Sequence, residues 1–292
     1  MALLEYDPKT VLYHYCSAEA FLGIINTKEI WFSNLKSSND PRELKYGYDN
    51  VFEILRATRE QTESAEIKRV IDFLEDRLTP FYNRVNVFCT CFTHDGDSLP
   101  MWREYGGAYK GLAIGFRPTA ITGMPARLQK VRYVSNGNTK ELGDVLIEVV
   151  SNFHGWGNQM EEINLVASTL STIVAMKHST WEYEREVRMT YVQVRDRPVT
   201  SGDNLENMVS MKNNMEPIYW QQPNIRSVHG SDTEYLKFPY GRDLGERHDA
   251  RMAIKEVIAG PNCALTKDEI ANALVANGFL NYLIKGSDCQ IR

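Results

Sequence analysis

Two glutamates and an arginine alternate in the segment WEYEREVRMTY, residues 181–191. If this segment is a β-strand, Glu184, Glu186 and Arg188 point to one face of the sheet, and the apolar residues between them can face a core. Two carboxylates at this spacing repel each other, and such clusters are typical of binding or catalytic sites. An exposed strand face with simple charge pairing would explain the same spacing without a function, so both interpretations stay open at this point.

A histidine lies in the middle of another apolar segment, LYHYC, where His14 is flanked by two tyrosines. A histidine within a strand is most often structural, because one ring nitrogen usually finds a carbonyl oxygen. Polar residues recur on other predicted strands, however, as Ser33 and Asn34 do in EIWFSN. This recurrence makes His14 a candidate site residue.

The segment NDPRE, residues 39–43, has the form of a helix start. It predicts Asp40 as the N-cap, Pro41 at the first helical position and Glu43 three residues after the cap. Capping alone explains Asp40 and Glu43. It does not explain Asn39 and the two serines before it, which could line a pocket.

Two aromatic residues, Trp102 and Tyr105, share one face of a short predicted helix. Aromatic residues at this spacing usually belong to a core. The functional alternative is a stacking platform for a flat ring.

Composition excludes several classes of protein. The 292-residue chain has a net charge of −5 and is 43% hydrophobic, so we expect a sizeable core and no general nucleic-acid coat. We expect no secretory signal, and no apolar run approaches the roughly 18 residues of a membrane span. Five cysteines, an odd number, indicate reduced thiols in the cytoplasm. Cys89 and Cys91 lack a second ligand pair, so we expect no metal site.

Strands dominate the two ends of the chain and helices lie between them. Strands are predicted at 11–16, 29–34, 85–92, 110–116, 128–134, 184–194, 234–240, 254–260 and 280–286. Helices are predicted at 18–26, 41–61, 62–78, 99–105, 139–155, 159–178 and 266–277, with a loop at 200–214. The phosphate-binding motifs GxGxxG and GxxxxGK[ST] are absent from the sequence. The pattern favours one α+β domain over 1–292, built around mostly antiparallel sheet, with helical insertions at about 41–80 and 138–180.

Four segments in this order resemble a widespread bacterial family catalogued as a domain of unknown function. They are LYHYCSAEAFLGIINTKEIWFSNLKSSNDPREL, CFTHDGDSLPMWREYGGAYKGLAIGF, KHSTWEYEREVRM and IKEVIAGP. The family motifs are H-Y-[ST], S-N-D-P-x-E, L-x-M-W-x-x-Y and W-x-x-E-x-E-x-R, and the resemblance spans most of residues 11–262. This chain departs from the first motif by having Cys16 in place of threonine or serine.

At a greater distance, the same order resembles the ADP-ribosyltransferase superfamily, including its DNA- and RNA-modifying toxins. That resemblance implies split antiparallel β-sheets that grip NAD in a cleft. It implies that His14 binds an NAD ribose and the carboxamide region, and that Trp31, Phe32 or Tyr105 stacks on nicotinamide. The remaining NAD contacts that we expect are Tyr15, Ser33, Asn39, Asp40, Trp102 and Arg188.

The resemblance also assigns catalytic roles to the two glutamates. Glu186 would bind the 2′-hydroxyl of the nicotinamide ribose and stabilise an oxocarbenium-like state, since the developing positive charge requires a fixed carboxylate. Glu184 would orient or deprotonate the acceptor, and Arg188 could hold Glu186 or a phosphate. The position before Val187 favours Glu186 as the catalytic residue, and the choice between the two glutamates stays open.

We therefore consider three hypotheses for the function, given in order of preference. The first is an NAD-dependent ADP-ribosyltransferase that acts as a cytoplasmic toxin or antiphage effector on nucleic acid or protein, with an antitoxin or defence-system partner. The second is a non-catalytic module that senses a nucleotide or a phage component. The third is a metal-dependent nuclease or hydrolase that uses Glu184, Glu186 and Asp40.

Overall fold

The computed structural model describes residues 6–38, 40, 42–124, 126–135, 140–194, 221–228, 230–241 and 250–291. The strands are β1 (Leu12–Cys16), β2 (Glu29–Asn34), β3 (Val85–Thr93), β4 (Leu112–Phe116), β5 (Arg127–Lys130), β6 (Arg132–Val134), β7 (Met176–His178), β8 (Glu186–Val194), β9 (Asn224–Val228), β10 (Ser231–Pro239), β11 (Ile254–Ala259) and β12 (Leu283–Gly286). The α-helices are α1 (Ala18–Thr27), α2 (Glu43–Gln61), α3 (Ala65–Arg84), α4 (Leu99–Glu104), α5 (Pro118–Thr122), α6 (Lys140–Ser151), α7 (Gln159–Val174) and α8 (Lys267–Ala276). Short 3-10 helices cover Leu35–Ser37, Ser179–Glu184 and Ala250–Met252.

Ten strands form one sheet that is mostly antiparallel, which confirms a mixed fold of helices and antiparallel strands. Its main order is β12-β11-β4-β1-β3-β2-β10-β9, and β8 joins β3 to β5. The pair β11–β12 is parallel, and β6 and β7 form a separate parallel pair. None of the described helices combines the length and the apolar character that crossing a membrane requires.

Several predicted elements differ from the structure. The strand predicted at 128–134 divides into β5 and β6, and the helix predicted at 159–178 ends at Val174 so that β7 can follow. The strand predicted from residue 184 begins at Glu186. Helix α2 begins at Glu43 after Arg42, so the helix starts later than predicted and Asp40 is not its N-cap. The Asp40 carboxylate accepts the N–H of Arg42 at 3.0 Å, in the turn that precedes the helix. The predicted loop at 200–214 lies outside the described residues.

Strand β3 divides one of its edges between two partners. It pairs with β8 along its whole length. On the opposite edge it pairs with β2 through Cys89 and with β1 through Thr93. Among the described strands, the residues between these contacts, 90–92, have no partner on that edge. The sheet therefore contains a gap between β1 and β2, beside the middle of β3.

Two hydrophobic clusters hold the sheet from opposite faces. Because side chains alternate along a strand, Val187, Met189 and Tyr191 of β8 point into the cluster that includes helices α1 and α8. This confirms the core face predicted for that segment. On the other face, Val87 and Val192 pack in the cluster that includes α2, α3, α6 and α7. Full burial of such side chains stabilises the fold by about 1.5–3 kcal/mol each.

Candidate functional site

Glu184 and Glu186 lie on two different elements that meet at one residue. Glu184 ends a 3-10 helix, and Glu186 begins β8. Arg185 between them has φ 44°, a left-handed conformation that is uncommon for a residue other than glycine. This turn replaces the continuous strand that we predicted. It still leaves the two carboxylates close enough to share one partner.

That partner is Lys177, at the centre of β7. Its ammonium donates to Glu184 Oε2 at 2.5 Å and to Glu186 Oε2 at 3.3 Å. All three side chains are buried. A shared cation offsets much of the repulsion that would make two buried carboxylates unstable.

Arg188 extends these ion pairs to helix α2. It holds the Glu186 carboxylate with Nε at 2.6 Å and Nη2 at 2.9 Å, which is the bidentate geometry. Its Nη1 donates to the Val174 carbonyl at 2.8 Å, and its Nη2 also donates to Glu43. Glu43 is 2% exposed, so the capping role predicted for it is wrong, and it supports Arg188 instead.

The result is a buried chain of alternating charges in the order Glu43, Arg188, Glu186, Lys177, Glu184. The chain contains three carboxylates and two cations. We call these five residues the ion-pair chain. It excludes the interpretation of an exposed strand face with weak charge pairing.

The two site glutamates have pKa shifts of opposite direction. Burial opposes ionisation of Glu186, but the charges of Arg188 and Lys177 outweigh it and lower the pKa of that carboxyl. Burial raises the pKa of Glu184, and the charge of Glu186 raises it further, while Lys177 acts against both. Carboxylates whose environments separate their pKa values in this way are suited to different chemical roles.

Two tyrosines fix the positions of the glutamates. Tyr105 donates its hydroxyl to Glu184 Oε1 at 2.5 Å. The Tyr133 hydroxyl accepts the main-chain N–H of Glu186 at 2.8 Å. Neither glutamate therefore depends on solvent for its orientation.

A cavity of about 810 Å³ is lined by these carboxylates, by residues of β1 and β2 and by helix α1. This volume lies within the usual range for sites that bind small molecules or cofactors. The lining includes Glu184, Glu186, Cys91, His14 and Trp31.

His14 closes part of the gap with its side chain. Its Nδ1 lies 2.9 Å from the carbonyl oxygen of Cys91, which can only accept, so Nδ1 carries the proton. Burial lowers the pKa of His14, which favours the neutral ring and leaves Nε2 as an acceptor. The histidine thus has the structural partner expected of a strand histidine, and it also lines the cavity.

The other predicted contact residues divide into two groups. Tyr15, Trp31, Ser33 and Tyr105 line the cavity. Phe32 packs against Phe238 in the core, and Trp102 is fully buried with its indole N–H donating to Asp97. Neither ring can stack on a ligand there, so those two predictions are corrected.

Two further predicted residues lie elsewhere. Asp40 does not line the cavity, and Asn39 lies outside the described residues. In the part of the chain that the structure describes, no group of three or more His, Cys, Asp or Glu side chains is placed to hold a metal ion.

Sequence reasoning missed Glu43, Lys177, Tyr133 and Arg226 as site residues. One signal was available for Glu43, which lies on the same helical stripe as the buried residues Gly47 and Val51. Lys177 directly follows the apolar residues 173–176, which places its charge next to side chains that belong in a core. No comparable signal marks Tyr133 or Arg226.

Comparison with known proteins gives one finding. Neither the curated proteins nor the solved structures include a match to this chain. A family model matches residues 101–189, a segment that contains Tyr105, Lys177, Glu184, Glu186 and Arg188. Over that segment, the chain is similar to the family described as protein of unknown function (DUF2971).

Proposed function

We propose that this chain is an NAD-dependent ADP-ribosyltransferase whose cavity holds NAD with the nicotinamide ribose at the two glutamates. The observation that carries the proposal is the pair Glu184 and Glu186, which have opposite pKa shifts and line the same cavity. Cleavage of an N-glycosidic bond needs one carboxylate that stays ionised and a second that can exchange a proton.

Glu186 is suited to the first role. In the reaction, the bond between C1′ of the ribose and the nicotinamide nitrogen breaks, and the electron pair leaves with neutral nicotinamide. Positive charge develops on the sugar, and a fixed carboxylate stabilises it. Arg188 and Tyr133 hold Glu186 in place before the substrate arrives, so no reorganisation is required at the moment of reaction.

Glu184 is suited to the second role. As the acceptor attacks C1′, its proton passes to the Glu184 carboxylate, whose raised pKa makes it a stronger base than an ordinary glutamate. Lys177 keeps Glu184 ionised by its charge, and Tyr105 orients it. The product is the ADP-ribosylated acceptor together with nicotinamide.

The gap in the sheet supports the proposed fold type. Strands β1 and β2 separate beside β3, and residues of all three strands line the cavity. A cleft between split antiparallel sheets is what the resemblance to ADP-ribosyltransferases implies. His14 lies at the gap with Nε2 free to accept a hydrogen bond from a ribose hydroxyl.

The biological setting is part of the same proposal. A toxin or antiphage effector of this class would act in the cytoplasm on nucleic acid or protein, restrained by an antitoxin or a defence-system partner. The net charge of −5 does not favour broad attraction to nucleic acid, so an acceptor of that kind would be bound locally.

The first test is release of nicotinamide from NAD by the purified chain, without added metal, in the presence and absence of nucleic acid. We expect release by the wild type and a loss of at least about 100-fold in Glu186→Gln. Glu60→Gln, an exposed change on α2, is the matched control. Equal release by Glu186→Gln and the wild type would remove the assignment.

A non-catalytic nucleotide-binding module is the second candidate. Lys177 already pairs with both carboxylates and Arg188 pairs with Glu186, an arrangement that stabilises a site without requiring chemistry. This candidate expects binding of NAD, measured by calorimetry, with no nicotinamide released. Loss of activity on addition of EDTA would instead support a metal-dependent hydrolase.

A further inference from the structure

Arg226 on β9 lines the same cavity as the two glutamates. Its Nη2 donates to Ser33 Oγ at 2.8 Å. Among the described residues, no carboxylate forms an ion pair with this guanidinium. Its Nε is buried and has no hydrogen-bond partner. An arginine offers five donors, so most of the binding capacity of this one is unused.

A second residue that lines the cavity is Thr90, on the stretch of β3 beside the gap. Its hydroxyl is buried and has no hydrogen-bond partner among the described residues, and the residue is 3% exposed. Buried polar groups are normally hydrogen-bonded, and an exception calls for a specific explanation. A polar ligand bound in the cavity would explain why Arg226 is left without an anionic partner.

Aromatic rings adjoin Arg226. Trp31 and Tyr235 stack with ring centroids 4.3 Å apart and an interplanar angle of 24°. The guanidinium carbon lies 5.4 Å from the Trp31 centroid, and the Lys237 ammonium lies 5.6 Å from the same ring. Trp31 is still 38% exposed. Positive charge and an accessible flat ring therefore occur together in the cavity lining.

We propose that Arg226, Ser33 and Trp31 form an anion subsite that binds the diphosphate of a nucleoside diphosphate group. The guanidinium fork suits phosphate oxygens, and Ser33 can donate a further hydrogen bond. The inference rests on the proposed function, because it takes the ADP portion of that substrate as the ligand. The cavity lining then offers both a cation for the diphosphate and carboxylates for the sugar on which positive charge develops.

Calorimetric titration of the full chain with ADP, inorganic diphosphate and adenosine tests the subsite directly. We expect ADP to bind, diphosphate to compete with it, and adenosine to bind at least about tenfold more weakly than ADP. Arg226→Gln should weaken ADP binding about tenfold or more. Arg77→Gln, the same change at an exposed arginine on α3, should leave it unaltered.

Absence of ADP binding by the wild type, or equal ADP affinity in Arg226→Gln, overturns the subsite. If Arg226→Gln fails to show a cooperative unfolding transition, Arg226→Lys decides. That variant keeps the charge but loses the fork, so unchanged ADP affinity overturns the proposal and reduced affinity supports it.

The same experiment separates the subsite from the proposed chemistry. ADP binding that depends on Arg226, without any nicotinamide release from NAD, keeps the subsite and rejects the transferase. If nicotinamide is released and the KM for NAD is the same in Arg226→Gln as in the wild type, the transferase proposal stands and the subsite is rejected.

Discussion

Glu43 and Arg188 form a buried ion pair although 145 residues separate them in the sequence. Glu43 begins helix α2, whereas Arg188 lies within β8. The pair connects the helical layer to the strand that carries Glu186. A helix that packs against the sheet therefore also fixes the carboxylate that we propose as the catalytic group.

Replacement of Glu43 by glutamine should destabilise the protein and reduce its activity. The change leaves Arg188 buried with one anion fewer, and breaking a buried pair costs about 3 kcal/mol. Urea unfolding measures the loss. Glu60→Gln on the exposed side of the same helix should unfold like the wild type. Equal stability of both variants would show that Arg188 does not need Glu43.

Replacement of Lys177 by methionine should move the acid limb of the pH–rate profile to higher pH. Lys177 opposes the rise in the pKa of Glu184, so its removal raises that pKa further. The Glu184 carboxylate, the proposed base, is then protonated and inactive over a wider pH range above 4.5, the ordinary pKa of a glutamate. Nicotinamide release as a function of pH gives the limb. Lys255→Met, at an exposed lysine on β11, should keep the wild-type profile, and an unmoved limb in Lys177→Met would argue against Glu184 as the base.

Replacement of Glu186 by glutamine should make the free energy of unfolding fall less steeply as the pH is lowered. The folded-state pKa of Glu186 lies below its ordinary value of 4.5, so below that pH the unfolded chain binds more protons than the folded chain. The stability that Glu186 contributes is therefore present above pH 4.5 and lost as the pH falls further. Urea unfolding between about pH 5 and about pH 3 measures the slope.

In that experiment, Asp97 and Glu256 still contribute to the slope, because each has a lowered pKa of its own. The Glu186→Gln variant should thus be less stable than the wild type near neutral pH and closer to it in acid. Parallel curves for the two proteins would contradict the pKa shift assigned to Glu186.

Replacement of Gly47 by alanine should separate α2 from α7. A Cβ atom at residue 47 would lie closer to the carbonyl oxygen of Ile173 than van der Waals contact allows. We expect a loss of about 1–3 kcal/mol in unfolding free energy. Activity should fall as well, because Glu43 lies one helical turn from Gly47, and the Val174 carbonyl also supports Arg188.

Gly143 provides the matched control for Gly47. A Cβ atom there would meet Ile54 Cγ2 at 3.8 Å, an ordinary contact. Gly143→Ala within α6 should therefore gain about 0.5–1 kcal/mol from the reduced entropy of the unfolded chain. Thermal unfolding compares the two variants, and a similar response to both would mean that the α2–α7 contact is not tight.

Local patterns in the sequence predicted the helices and strands around this site reliably. They predicted the contacts between those elements less well. Alternation along β8 predicted the core face of Val187 and Met189, because a strand has a fixed period of two. It did not predict the turn at Arg185, since a left-handed φ at an arginine leaves no pattern in residue types. Glu184 was therefore predicted correctly to lie close to Glu186, but it belongs to the 3-10 helix before β8 and not to the strand.

Long-range pairs account for most of what was missed. Glu43 matched a helix-capping motif, which explained the residue from its sequence neighbours alone. Its role as the partner of the distant Arg188 was therefore not predicted. Phe32 and Trp102 were predicted to bind a ligand because aromatic residues serve both cores and stacking platforms. Only their tertiary surroundings distinguish the two uses.

The ion-pair chain draws its five members from α2, β7, β8 and the 3-10 helix before β8. Burying a single unpaired charge in a low-dielectric interior is costly. These segments must therefore pack together before the charges can be buried as ion pairs. A chain caught midway through folding would hold its acidic side chains apart and hydrated. The two carboxylates therefore reach their native positions only after these four segments have packed together.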